Sequence, residues 1–232
     1  MAIMKENNKV LQFSMFFGIG LLMMSIVLMF INPSPESNLA EGFYTPIIAF
    51  EFIQNTAQVK AFFEIEQQEL YLQKMLLGNQ LDYIFMFLYS IFLGLFSYYL
   101  YKKTKHKIFI IAIILCPIAF LTDALENLQI YYIIKNLNAD IHVFLQDLHL
   151  YTWVKWLSLA IVFLLVGYYN YKNKKYIFMI INVLPILLAM LAYNSYGLVN
   201  ELFALSIVIN FVIVFISVII EYRNANQHRI KL

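Results

Sequence analysis

From Ile108 to Ile130 the chain reads IFIIAIILCPIAFLTDALENLQI. No charged side chain interrupts it before Asp123, and Glu126 and Asn127 follow within about one helical turn. A run of this length and apolarity matches the ~20 residues needed to cross a ~30 Å hydrocarbon layer. In lipid, the segment must satisfy its backbone hydrogen bonds internally, which favours a helix. Reading outward, the same pattern recurs over Leu11–Ile31, Asp82–Tyr101, Tyr151–Tyr169, Tyr176–Tyr193 and Leu198–Glu221. The sequence therefore predicts an all-α polytopic membrane helix bundle with six transmembrane helices.

Composition agrees. Of 232 residues, 62% are hydrophobic and only 13% charged, whereas a soluble domain carries about 25% charged residues. The chain is read as a single integral membrane domain over 1–232. The net charge of +2 comes from short lysine groups between runs, not from a clustered basic face. Nucleic acid is therefore not an expected partner, and membrane lipids are. Cys116 is the only cysteine; it forms no internal disulfide and reads as a buried thiol. Richness in Ile, Lys, Asn and Tyr suggests a low-GC bacterial genome.

The basic residues set an expected orientation. Lys5 and Lys9 precede the first run, Lys102, Lys103, Lys105 and Lys107 follow the second, and Lys172, Lys174 and Lys175 follow the fourth. Arg223, Arg229 and Lys231 lie in the tail, while Lys60, Lys74, Lys135 and Lys155 fall on the other side. By the positive-inside rule both termini are cytoplasmic, in a bacterial inner membrane crossed several times. The first run exceeds the 7–15 residues of a signal-peptide core and is read as an uncleaved helix. Tyrosines at span ends, Tyr98, Tyr99 and Tyr101 of the second and Tyr168, Tyr169 and Tyr171 of the fourth, read as an interfacial belt.

Between the first two spans, residues 32–80 form an outer interfacial segment. The turn Asn32-Pro33-Ser34-Pro35 ends the first span. A short helix is expected over Pro46–Ile53, and a second over Val59–Leu77, closed by Gly78-Asn79.

Ionisable groups inside a span are costly, so they are the default candidates for function. Asp123, Glu126 and Asn127 share one helix face, with Asp123 roughly 8 Å below the outer boundary of the hydrocarbon. Lys155 lies at similar depth in the fourth span, Asp82 opens the second, Tyr89 stands on Asp82's face, and Glu51 and Glu201 lie near the same side. The inner halves of the spans hold little besides Asn182 and Asn210, which argues against a continuous ion path. Two readings stay open. Lys155 and its carboxylates form a helix clamp, or their surplus negative charge marks a ligand or catalytic site. His142 and His149, flanking Gln146 and Asp147, have a spacing that metal ligation allows, but interfacial histidines are commoner and no metal site is assigned. Motifs for zinc proteases, serine hydrolases, phosphate loops and redox cysteine pairs are absent.

Four pieces carry a resemblance: Phe50-Glu51-Phe52 with Thr56, Leu81-Asp82-Tyr83-Ile84-Phe85 with Tyr89, Asp123-Ala124-Leu125-Glu126-Asn127, and Lys155-Trp156. Over about Ile47–Val162 the chain resembles a group of bacterial polytopic membrane proteins with an intramembrane D-x-x-E-N motif and no assigned activity. In those relatives an Arg often precedes the second-span aspartate. Here Asn79-Gln80 stands there, so no salt bridge from that position is assumed. The resemblance implies treating Glu51, Asp82, Asp123, Glu126, Asn127 and Lys155 as one set. The expected function is an outer-leaflet site that binds or processes a small or amphiphilic molecule. Asp123, Glu126 and Lys155 are its candidate catalytic residues, and Glu51, Asp82, Tyr89 and Asn127 its binding residues. The alternatives are a structural or assembly protein and a coupled transporter. No cofactor is indicated.

Overall fold

Apolar runs of this length become long helices. A computed structural model describes residues 2–33 and 38–230, and among these all regular structure is helical. The elements are α1 (Ala2–Ile31), α2 (Pro46–Glu51), α3 (Thr56–Phe63), α4 (Gln68–Thr104), α5 (Ile108–Lys135), α6 (His142–Lys172), α7 (Tyr176–Ala192) and α8 (Leu198–Ile230). Ser34 and Pro35 of the expected turn, and Lys231, lie outside the described residues.

Five of these helices (α1, α4, α5, α6 and α8) are long and apolar enough to cross a membrane. The apolar α7 is shorter, at 17 residues, or about 26 Å of rise. These six pack in chain order, each on the next, and α8 returns to α1 to close a ring. Short connections make α4 to α8 successively antiparallel, and α1 runs antiparallel to α4, with Ser14 donating to the Phe92 carbonyl at 3.2 Å and Asn32 beside Gly78. Asn8 on α1 donates to Asn226 on α8 at 2.9 Å, and Gln12 donates to the Tyr222 hydroxyl at 2.9 Å. The connections 105–107 and 173–175 therefore share one lysine-rich end with the start of α1 and the end of α8.

The remaining elements gather at the opposite end. Pro46 starts α2, where its missing N–H costs nothing. The Asn55 side chain caps α3 by accepting from the Gln58 N–H at 3.0 Å. α2 packs against α6 and α8. Its Phe50 ring lies 5.1 Å from Phe62 and 5.5 Å from Phe63, and Tyr71 packs on Phe62 at 5.6 Å.

That aromatic cluster corrects one expectation. The chain turns at residues 64–67 so that Phe62, Phe63 and Tyr71 can meet, and a single helix over Val59–Leu77 does not form. Gly78-Asn79 closes nothing, because α4 runs through it. The glycine leaves room for a side chain of the segment after α1: a Cβ at Gly78 would lie 2.0 Å from Asn32 Oδ1, which would have to move. Asp82 consequently sits about four turns inside α4 and does not open it.

Candidate functional site

The site is assembled from four elements. One turn of α6 presents Thr152, Lys155 and Trp156, α5 presents Asp123, Glu126 and Asn127, α4 presents Asn79, Asp82 and Tyr89, and the last residue of α2 is Glu51. Lys155 is the centre. Its ammonium lies 3.0 Å from Glu51 Oε2 and 3.3 Å from Asp123 Oδ1, and it also contacts Glu126 Oε2. It stands 4.9 Å from the centre of the Trp156 ring, within cation–π range. Lys155, Glu51, Asp123 and Glu126 are all buried.

Neutral donors complete the carboxylates. The Trp156 indole N–H donates to Glu51 Oε2 at 2.9 Å, the Tyr89 hydroxyl to Asp123 Oδ2 at 2.8 Å, and the Thr152 hydroxyl to Glu126 Oε1 at 2.7 Å. A second layer lies beside this one. Asn127 Nδ2 donates to Asp82 Oδ2 at 2.8 Å, and Asn79 Nδ2 donates to the Asn127 carbonyl at 2.9 Å. Asp82 is therefore held by an amide instead of the ammonium. Burial pushes the Glu51 carboxyl above the ordinary carboxylate range, against the opposing pull of Lys155. Four carboxyl groups gather around one ammonium, which reaches three of them. A low-dielectric interior holds that arrangement only with bound protons or a compensating cation.

The group borders a cavity of about 180 Å³. Its lining mixes the polar Glu51, Asn79, Asp82, Tyr89, Asp123, Asn127 and Lys155 with the apolar Leu28, Ile47, Ile48, Phe85, Leu159, Ile207 and Phe211. Glu126 does not line it and contacts Lys155 from behind.

The structure thus brings together Glu51, Asp82, Tyr89, Asp123, Glu126, Asn127 and Lys155. Glu201 is elsewhere: it accepts from the Thr45 hydroxyl and ties the segment before α2 to α8. His142 and His149 lie on α6 and not in the connection before it. His142 pairs with Gln146 at 3.0 Å, and the His149 ring packs on Trp153. Among the described residues, no group of three or more His, Cys, Asp or Glu side chains is placed to hold a metal ion.

Sequence reasoning missed Thr152, Asn79 and the donor role of Trp156. Thr152 precedes Lys155 by three positions and Asn79 precedes Asp82 by three, the spacing that aligns side chains on one helix face. The halves of the helices nearer the lysine-rich end also hold more polar groups than expected. Glu221, 3% exposed, accepts from Tyr99 at 2.9 Å and Tyr169 at 2.8 Å, and pairs with Lys103 at 2.5 Å and Lys175 at 3.3 Å. Those two tyrosines point into the bundle and do not belong to an interfacial belt. Between the two charged groups, Asn170 donates to Asn182 at 2.8 Å and Asn182 to Asn210 at 2.7 Å.

No protein-family model matches this sequence, and no curated protein or solved structure does. The site's own chemistry must carry the functional argument.

Proposed function

We propose that the chain crosses a bacterial inner membrane six times with both termini in the cytoplasm, and that the cavity beside Lys155 binds an amphiphilic molecule from the outer leaflet. The five long apolar helices support the first part. So does α7, whose Ile177 and Met190 are largely exposed, as residues facing lipid are. The lysine-rich end is then cytoplasmic by the positive-inside rule, and α2 and α3 lie at the outer interface.

The observation that carries the binding reading is a cavity with a mixed polar and apolar lining. A ligand with a polar head and an apolar body finds partners for both within one volume of about 180 Å³. If chemistry follows binding, Asp123 and Lys155 face the ligand, and Glu126 acts through Lys155 as a positioning residue. A clamp alone needs the polar residues but no cavity beside them. A coupled transporter needs exchangeable charge along its length, and the residues between Lys155 and Glu221 include amides that already bond one another.

Filling the cavity separates site from clamp, because it leaves the ion cluster untouched. Ile207→Trp, with Ile48→Phe as a milder variant, is expected to keep the wild-type melting temperature within a few degrees. Either variant is expected to lose a co-purifying amphiphile, read by mass spectrometry of the extract, and to fail to complement a deletion strain. Full complementation by folded, cavity-filled protein would refute the site reading in favour of the clamp.

A further inference from the structure

Resting on the binding reading above, the donors and acceptors around the cavity narrow the ligand further. Lys155 spends its ammonium on three carboxylates. The Trp156 N–H and the Tyr89 hydroxyl are likewise committed to carboxylates. The surplus lies in acceptors. Asn79 is 5% exposed and lines the cavity, and its Oδ1 has no hydrogen-bond partner among the described residues. Its amide cannot be turned round without loss, because Nδ2 is fixed by donation to the Asn127 carbonyl. An unpartnered buried acceptor is rare enough to call for a donor. Asp82, three residues further along α4, adds a carboxylate held by Asn127 and not by the ammonium.

Aromatic faces agree with this. Phe85, Tyr89 and Phe211 line the same cavity and pack on one another, with Tyr89 at 5.8 Å from each of the other two rings. Ring faces attract cations and do nothing for anions. An anionic head group would meet excess carboxylate, no free ammonium and no uncommitted hydroxyl. A cationic one would meet Asp82 and the rings beside the unpartnered Asn79 amide, and would offset the charge imbalance of the four carboxyl groups. The volume exceeds that of a ~150 Å³ cavity known to hold benzene, so a compact head and its first carbons fit. We infer that the ligand of this cavity is an amphiphile with a hydrogen-bond-donating ammonium head group.

The test compares three probes of equal chain length, decylammonium, decanol and decyl phosphate. Each is titrated at neutral pH into the purified protein in phosphatidylcholine nanodiscs, with melting temperature as readout. Decylammonium is expected to raise it saturably, at a concentration at least about tenfold below decanol, with decyl phosphate giving no saturable rise. Asp82→Asn should weaken decylammonium by about tenfold or more. Asn79→Ala serves the same purpose should the first variant not fold, and Ile207→Trp should abolish the response. A saturable response to decyl phosphate or decanol that equals or exceeds that to decylammonium would overturn the cationic head group and leave the binding site standing. No saturable response to any probe, or one unchanged in Ile207→Trp, would overturn the cavity as a ligand site and this inference with it.

Discussion

Lys155 meets three carboxylates where little water reaches any of them, so removing the ammonium alone leaves like charges facing one another. Lys155→Met is expected to cost about 3–5 kcal/mol, the usual penalty for breaking a buried pair from one side. Neutralising Asp123 and Glu126 with it is not enough, because Glu51 would remain. The compensated variant is Lys155→Met with Glu51→Gln, Asp123→Asn and Glu126→Gln, expected to melt closer to wild type than the single change does. Melting curves in mild detergent decide this, and a single variant as stable as wild type would end the ion-cluster account. Asp123, Glu126 and Lys155 were legible because charge inside an apolar run has no structural default. Thr152 and Asn79 were not, since neutral polar residues raise no alarm in a helix. Nothing local pairs Glu51 with Lys155, which lie 104 positions apart; the depth pattern placed both near one side without joining them.

Helix contacts make different demands on glycines that look alike in sequence. A Cβ at Gly18 of α1 would lie 2.6 Å from the Phe215 ring and 3.0 Å from Phe92, whereas one at Gly94 of α4 would meet nothing nearer than Cys116 Cβ at 3.9 Å. Gly18→Ala is therefore expected to destabilise by about 1–3 kcal/mol through overpacking. Gly94→Ala is expected to be neutral or to stabilise by up to ~1 kcal/mol from helix propensity. Thermal unfolding of the two variants side by side checks the pair, and equal effects would contradict the close approach of α1 to α8. At the lysine-rich end, Glu221 joins α8 to α4, α6 and α7. Glu221→Gln should cost roughly 2 kcal/mol, measured in the same way; no loss would mean that the contact is too wet to matter. Helix boundaries were the least legible feature at this scale. Gly78 has the look of a helix stop and serves as a contact, while the real break at residues 64–67 is set by rings that meet from three elements.

Of the six apolar runs counted in the sequence, five are helices long enough to cross a membrane and the sixth is the shorter α7. Their closure into a ring was not legible, because no single stretch records that α8 returns to α1. The topology proposed above has a direct test. Cysteines replacing Lys105 and Lys174, both exposed, should resist a membrane-impermeant thiol reagent in intact cells. One replacing the exposed Lys60 should react, and the buried native Cys116 gives a quiet background. Labelling of Lys105→Cys and Lys174→Cys from outside would invert or break the six-crossing arrangement.

The contact of Asp123 and Glu126 with Lys155 joins two consecutive helices, α5 and α6, across the brief connection 136–141. During biosynthesis this bears on the order in which segments leave the translocation machinery. Inserted alone, α5 would carry two acidic groups into lipid and α6 a lysine, each at a cost below the roughly 2.5–3.5 kcal/mol of a charge at mid-depth. Released together as a hairpin, they let Lys155 offset one acidic charge and contact both acids before lipid surrounds them. α2, made earlier in the chain but docked on α6, can deliver Glu51 only after that hairpin exists. For the six-crossing arrangement proposed above, the polar group thus favours an order of assembly in which α5 and α6 partition as a pair and α2 docks on them last.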